Sequence, residues 1–262
     1  MTTKQDGLLL PQESPEIVRR IRARTPARIL AGRAGAAYRT DTQLELREAH
    51  AAAKDAVRTE LDMKSCLGVA FVERWKLFEV STMAESKSGY LLRPDLGRHF
   101  TEKSRTELTQ HCTTGDSLQI AIGDGLSVTA VAAQVPSLLE LLLQGAAANG
   151  WSYGRPFLIR HCRVGVLNEI GEVLRPDVVI LLIGERPGLA TAESLSAYMA
   201  YRPRHTHTDA NRNLISNIHS RGVKPPEAAL RILRLAAQMM LAKESGINLK
   251  EDLQVLPAAP SQ

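Results

Sequence analysis

Few cysteines, few aromatics and no long apolar run set the first limits on this 262-residue chain. The three cysteines, Cys66, Cys112 and Cys162, are an odd number without CxxC spacing. That argues against a disulfide framework and for reduced thiols in a cytoplasmic setting. Aromatic residues make up only 4% and are scattered, so there is no platform on which single-stranded bases could stack. No uninterrupted apolar run approaches the roughly 20 residues that span a bilayer, and the first residues, Met1 to Gly7, lack the charged and apolar regions of a secretory signal. A Gly-Lys-Ser or Gly-Lys-Thr phosphate loop is missing as well. The nearest thing to a dinucleotide fingerprint, Gly123-x-Gly125-x-x-Val128, lacks the third small residue that lets helix and strand pack closely.

What is present is an excess of positive charge, +5 at neutral pH, and it is local. Seven arginines fall between Arg19 and Arg39. A basic stretch of this kind fits nucleic acid or an acidic partner protein. Without interleaved aromatics, an arm docking on an acidic partner needs fewer assumptions.

Hydrophobic periodicity divides the chain near residue 65. Residues 1–15 carry Gly7, Pro11 and Pro15 among polar residues, with Leu8-Leu9-Leu10 as an isolated docking anchor. Thr40 and Gln43 have the spacing of a capping box, and Ala49, Ala53, Val57 and Leu61 then recur at helical intervals. Residues 1–65 therefore form an arm and helical segment, and residues 66–262 a single α/β domain. Strands are predicted at Lys76–Val80, Leu118–Ile122, Phe157–Val164, Val178–Ile183 and Leu195–Tyr201. Helices are predicted at Leu96–Gln110, Val128–Ala148 and Pro226–Lys243, the last opened by Pro225-Pro226 and ended by Gly246. This alternation implies an α/β fold with a mostly parallel sheet flanked by helices.

The run Val178–Ile183 is six consecutive apolar residues, as expected of a strand buried on both faces. It stops abruptly at Gly184-Glu185-Arg186-Pro187-Gly188. Ligands of open α/β sheets sit outside such carboxyl ends, which puts Glu185 where a ligand would be. The turn Gly123-Asp124-Gly125-Leu126-Ser127 admits two readings. Ser127 caps a helix, or the turn's amides and Asp124 hold a polar ligand, as in a stand-alone nucleotide-dependent enzyme. His205, His207 and Asp209 form a His-x-His-x-Asp cluster that on a strand would share one face and suit zinc. Interleaved Arg202 and Arg204, with no further Cys or His to complete a site, favour a solvated loop. Ser194, Ser196 and Ser216 lack the context of a nucleophile elbow. No catalytic constellation and no metal site emerges.

Seven strings then occur in order: Arg33-Ala34-Gly35, Arg93-Pro94-Asp95-Leu96-Gly97-Arg98, Asp124-Gly125-Leu126-Ser127, Gly184-Glu185-Arg186-Pro187-Gly188-Leu189, Glu193-Ser194-Leu195-Ser196, Ile215-Ser216-Asn217-Ile218-His219 and Ser245-Gly246-Ile247-Asn248. Together, over roughly residues 15–250, they make the chain resemble the small subunit of ethanolamine ammonia-lyase. The resemblance implies a Rossmann-like domain with a helical N-terminal segment, acting as part of a hetero-oligomer. The large subunit would be a barrel housing the radical chemistry that turns ethanolamine into acetaldehyde and ammonia. The small subunit would cover adenosylcobalamin at the interface and have no activity alone. It also implies packaging in a bacterial microcompartment, and no role for nucleic acid or membrane.

Three cofactor-contacting positions carry over by motif: Val164, which follows Arg163; Glu185, in the Gly-Glu-Arg-Pro-Gly turn; and Leu214, where relatives can have cysteine. Each has a plainer reading, Val164 and Leu214 as core and Glu185 as the ion-pair partner of Arg186 or Arg163. The family binds the cofactor base-on, with its own base still on cobalt. Consistent with that, Asn217-Ile218-His219-Ser220-Arg221-Gly222 departs from the Asp-x-His-x-x-Gly motif of base-displaced enzymes. Asn217 cannot supply the negative charge that tunes such a histidine.

Overall fold

The computed structural model describes residues 15–25, 29–188 and 190–252. The Leu8–Leu10 anchor, Pro26–Arg28 and Leu189 lie outside the described residues. In chain order the elements are α1 (Glu16–Ala23), β1 (Arg33–Ala34), β2 (Ala37–Tyr38), α2 (Thr40–Arg58), α3 (Met63–Leu67), α4 (Val69–Arg74), β3 (Phe78–Ser81), α5 (Lys87–Leu92) and α6 (Glu102–His111). They continue with β4 (Leu118–Gly123), α7 (Val128–Ala148), β5 (Phe157–Arg160), α8 (Val166–Leu174), β6 (Val178–Gly184), β7 (Leu195–Tyr201), β8 (Asn213–Ile218) and α9 (Pro225–Ala242).

Six strands form one sheet in the order β3-β5-β4-β6-β7-β8. The first four are mutually parallel, β7 runs antiparallel to β6, and β8 runs antiparallel to β7. The mostly parallel α/β architecture expected from the sequence is therefore what forms. Its reason is visible along β6, where every residue is buried. Val178, Ile180 and Leu182 pack with Val131, Val135 and Leu138 of α7 and with Ile232 of α9. Val179, Leu181 and Ile183 pack on the opposite face with Val166 and Ile170 of α8 and Leu108 of α6. A strand covered on both sides has no use for polar alternation, and each such side chain contributes roughly 1.5–3 kcal/mol by leaving water.

α7 is long and apolar enough, by length and composition, to cross a membrane. Its buried side chains, from Val131 to Leu143, lie in the core beneath the sheet, as in the central helix of a globular layer. Ser127 caps it, accepting from the Ala130 amide at 3.2 Å, as one of the two sequence readings requires.

Several local expectations need correction. Thr40 is not a cap: Arg39 takes that position without a side-chain bond, and Thr40 is the first helical residue. The stretch Leu96–Gln110 is not one helix. A 3-10 turn at Leu96–Arg98 is cut off by extended residues 99–101, whose backbone bonds to residues 81 and 83. Thr101 then caps α6 by accepting from the Ser104 amide. The strand predicted to reach Val164 ends at Arg160, because His161 turns into the left-handed region at φ 57°. Lys243, not Gly246, takes the left-handed position that ends α9. Gly246 instead seats against the Ala210 carbonyl, where a Cβ would come within 2.0 Å. α8 and β8 are additions to the elements expected from periodicity.

None of the described residues between 15 and 38 is buried. β1 and β2 form a small hairpin, and α2 buries only Thr42 and Ala56. Core packing begins in earnest with Leu61 and with α3, whose Leu67 joins the α7 side of the core.

Candidate functional site at the carboxyl edge of the sheet

From β4 the chain steps through α7 to β5 on one side, then through α8 back across β4 to β6 on the other. The strand order reverses between β4 and β6, and crevices at such switch points are where open α/β sheets bind ligands. A cleft of about 310 Å³ opens there, and Val164, Glu185 and Leu214 all line it. They arrive from three separate segments: the turn after β5, the end of β6, and β8.

Glu185 is half-buried. It accepts hydrogen bonds from the Ser194 hydroxyl at 2.8 Å, from the Ser196 hydroxyl, and from the Asn217 amide at 3.3 Å. Among the described residues it has no arginine partner, so the ion-pair alternatives with Arg186 or Arg163 are not realised. β7 and β8 hold the carboxylate in place, since Ser194, just ahead of β7, and Ser196 within it follow the two-residue strand period, and Asn217 approaches from the end of β8. Asn217 reaches it from a left-handed conformation, φ 61°.

Neither apolar position is core. Leu214 is 46% exposed beside Tyr198, its register partner on β7. Val164 is half-buried at the margin of the core. Arg163 beside it lies over the Tyr90 ring, 4.2 Å from the centroid, and donates to the Tyr90 carbonyl at 3.2 Å, while its Nε has no acceptor. Tyr90 is fully buried and donates its hydroxyl to the Cys162 carbonyl at 3.0 Å. Burial pushes its hydroxyl, and that of Tyr198, above the ordinary tyrosine range. Both stay neutral.

The turn after β4 lends Gly125 and Leu126 to the cleft wall, but its acid, Asp124, is engaged inside the protein and not turned to a ligand. Asp124 is fully buried, and its carboxylate accepts the His161 amide at 2.9 Å and the Cys162 amide at 2.8 Å. Lys87, nearly buried itself, lies 3.8 Å away. Burial pushes this carboxyl upward, opposed by the Lys87 ammonium and the two amides. Gly125, at φ 55°, faces the Gly184 carbonyl so closely that a Cβ would lie 2.2 Å from it. The Leu126 amide donates to that same carbonyl at 3.1 Å. The two loops flanking the switch point thus pack backbone to backbone at Gly125 and Gly184.

The histidines are engaged too. His219 is buried, its Nδ1 accepting from the Arg221 amide at 3.2 Å and its Nε2 standing 2.7 Å from the Asn217 Oδ1. That pairing places the proton on Nε2, and burial together with Arg221 lowers the imidazole's pKa, keeping it neutral. His161 bonds the Ala84 carbonyl and Glu60. His205 and His207 lie in a loop rather than on a strand, and Asp209 pairs with Arg212. Among the described residues, no group of three or more His, Cys, Asp or Glu is arranged to hold a metal ion. The three cysteines are unpaired, and burial raises Cys66 to about 11 and Cys112 to about 12.

Sequence reasoning misses Ser194 and Ser196 as the residues that hold Glu185, and Tyr90 and Arg163 as cleft walls. The two-residue spacing of Ser194, Ser196 and Tyr198, running into the predicted strand Leu195–Tyr201, is the signal that could have found the first pair. Nothing local announces Tyr90.

Residues 15–250 match the family described as ethanolamine ammonia-lyase light chain (EutC). The chain is 41% identical over 230 residues to the ethanolamine ammonia-lyase small subunit of Clostridium perfringens, covering 88% of this chain and 76% of that one. It is 38% identical to the small subunit of Clostridium acetobutylicum, over 88% of this chain and 93% of that one. Against the small subunit of Listeria monocytogenes it is 40% identical over 244 residues, 93% of this chain and 81% of the relative. With a match of this extent lying across the sheet, its carboxyl-edge cleft and the loops that build it, the chain belongs to the ethanolamine ammonia-lyase light chain family.

Proposed function

We propose that this chain is the small subunit of an adenosylcobalamin-dependent ammonia-lyase that converts ethanolamine to acetaldehyde and ammonia. In this reading the carboxyl-edge cleft covers base-on cobalamin against a large catalytic subunit. One observation carries it: Val164, Glu185 and Leu214, which family motifs single out in the linear chain, line one cleft although up to 50 residues separate them. The assembly would work in the cytoplasm, within a bacterial microcompartment.

The residues suit the group. Corrin rings carry amide side chains, and buried amides need partners. Glu185 is an acceptor already oriented by three donors. Val164 and Leu214 offer apolar surface beside them. His219 and His161, the buried histidines near the cleft, have both ring nitrogens committed, which suits a cofactor that keeps its own base on cobalt. When bound, adenosylcobalamin supplies the cleavable cobalt–carbon bond, and the protein's share is orientation and exclusion of water. Tyr90 and Tyr198, kept neutral by burial, add no mobile proton at the cleft.

The test is reconstitution. The purified chain alone should show no lyase activity, and activity should appear on mixing with a large subunit. Titration of the lone chain with ATP, NAD and adenosylcobalamin separates this from a nucleotide-dependent enzyme. Tight nucleotide binding accompanied by turnover would overturn the proposal.

A further inference from the structure

A second, larger cavity of about 500 Å³ lies beyond Arg163 and Val164, at the start of α8. Its walls carry three arginines from three parts of the chain: Arg98 from the 3-10 turn, Arg163 from the turn after β5, and Arg212 from the entry to β8. Two glycines make this convergence possible. Arg98 lies across Gly165, where a Cβ would come within 2.8 Å of its stem, and Arg163 lies across Gly97, where the distance would be 2.6 Å. The Arg212 side chain is only 6% exposed, yet its Nε has no hydrogen-bond partner, and neither does the buried Nε of Arg163. Leaving a buried donor unsatisfied costs roughly 1–3 kcal/mol, more for a charged group.

The carboxylates nearby do not cancel this charge. Glu169 is held by Arg105, with Nη2 at 2.9 Å, and by His99 at 2.9 Å. Asp209 is 91% exposed and takes one Arg212 nitrogen, and the Asn168 Oδ1 accepts from another at 3.3 Å, which leaves the Nε unpaired. The His207 pKa is lowered by burial first and then by Arg204 and Arg212, as a positive field requires. The first amides of α8 are not the donors, since Val166, Leu167 and Asn168 bond back to the carbonyls of residues 163–165. The guanidinium groups are what remain.

We propose that this cavity binds an oxyanion of the phosphate class, clamped by Arg98, Arg163 and Arg212. Planar guanidinium forks approaching from three directions suit a tetrahedral, multiply charged oxyanion, and the volume admits an organic substituent.

The probe is inorganic phosphate titrated into the full chain at constant ionic strength, followed by arginine Nε–H resonances. Saturable shifts of the Arg163 and Arg212 signals are expected. Arg98→Gln, an exposed position whose loss leaves folding intact, should weaken binding by about tenfold. Arg212→Lys serves as a second variant if it folds. No saturable shift, or the same shifts with acetate, overturns the proposal. A further arm on the complex with the large subunit identifies the source of the oxyanion. Displacement of phosphate by cobalamin but not by cobinamide, which lacks the phosphodiester, assigns the site to the cofactor's tail. Phosphate that persists with both assigns it to a free phosphate compound, and either result upholds the site. The first arm needs no large subunit and no cobalamin, so its failure leaves the proposed function standing, and the reverse also holds.

Discussion

Replacing Glu185 with Gln keeps the side-chain shape and removes the charge, so its two consequences can be worked out separately. For folding, three bonds change character. Ser196 and the Asn217 amide donate to Oε1, and Ser194 donates to Oε2. A Gln oxygen in the Oε1 position retains its two donors. The Ser194 hydroxyl can rotate to accept from the new amide nitrogen. No group is left unsatisfied, and what disappears is charge assistance, the difference between roughly 1.5–3 and 0.5–1.5 kcal/mol per bond. At a half-exposed site solvent screening cuts this difference to well under about 1 kcal/mol per bond, giving a loss of about 1–2 kcal/mol in total. Urea unfolding of the chain reads that directly, as a shifted midpoint with an unchanged slope. For the cofactor, losing one charge-assisted acceptor in the assembled complex should weaken adenosylcobalamin roughly ten- to a hundredfold, at tenfold per ~1.4 kcal/mol. Titration followed by the corrin absorbance, normalised to folded complex, measures it. The reasoning fails if affinity per folded complex is unchanged while folding loses more than about 3 kcal/mol. Glu185 would then serve only to tie β6 to β7 and β8.

Three further outcomes follow from the same geometry. Asp124→Asn should be far more disruptive than Glu185→Gln, by about 3–5 kcal/mol in urea unfolding, because it leaves Lys87 buried without its countercharge and puts an NH2 against one of two backbone amides; a loss under 1 kcal/mol would refute the structural role given to Asp124. His219 has a folded pKa below the ordinary 6.5, so its contribution is fully present above that pH and is lost as pH falls below it toward the folded value. The urea midpoint should therefore drop below about pH 6.5, less so in His219→Gln, and an identical drop in both proteins would remove His219 as the cause. Removing residues 1–38 should leave the sheet domain folded, since none of the described residues in that span is buried, but should abolish assembly with a large subunit if the exposed arginines dock on it; retention of full stoichiometry on co-purification would refute the docking role.

Much of the scaffold is written locally. A branched apolar run declares a strand covered on both faces, and β6 is one; Ser127 before an apolar helix declares a cap; Pro225-Pro226 declares a start. These features depend on neighbours within a few residues, which is the range over which periodicity and capping chemistry act. Motif order, likewise a property of the linear chain, carries the family and its three cleft positions. What the sequence could not settle is decided by contacts between distant segments. Asp124 reads as a ligand group until β5 delivers two amides, 37 and 38 residues away, that consume it. Glu185 reads equally as a ligand group or an arginine's ion-pair partner until β7 and β8 fold back over it with Ser194, Ser196 and Asn217. β5 stops at Arg160 because those same amides turn His161 away from the ladder, and Leu96–Gln110 breaks because residues 99–101 pair with the end of β3. Two glycines 68 residues apart, Gly97 and Gly165, make room for two arginines that no spacing rule would bring together. Charge, hydrogen-bond satisfaction and close approach are settled by whichever partner arrives in space, and for these residues only the tertiary fold determines that partner.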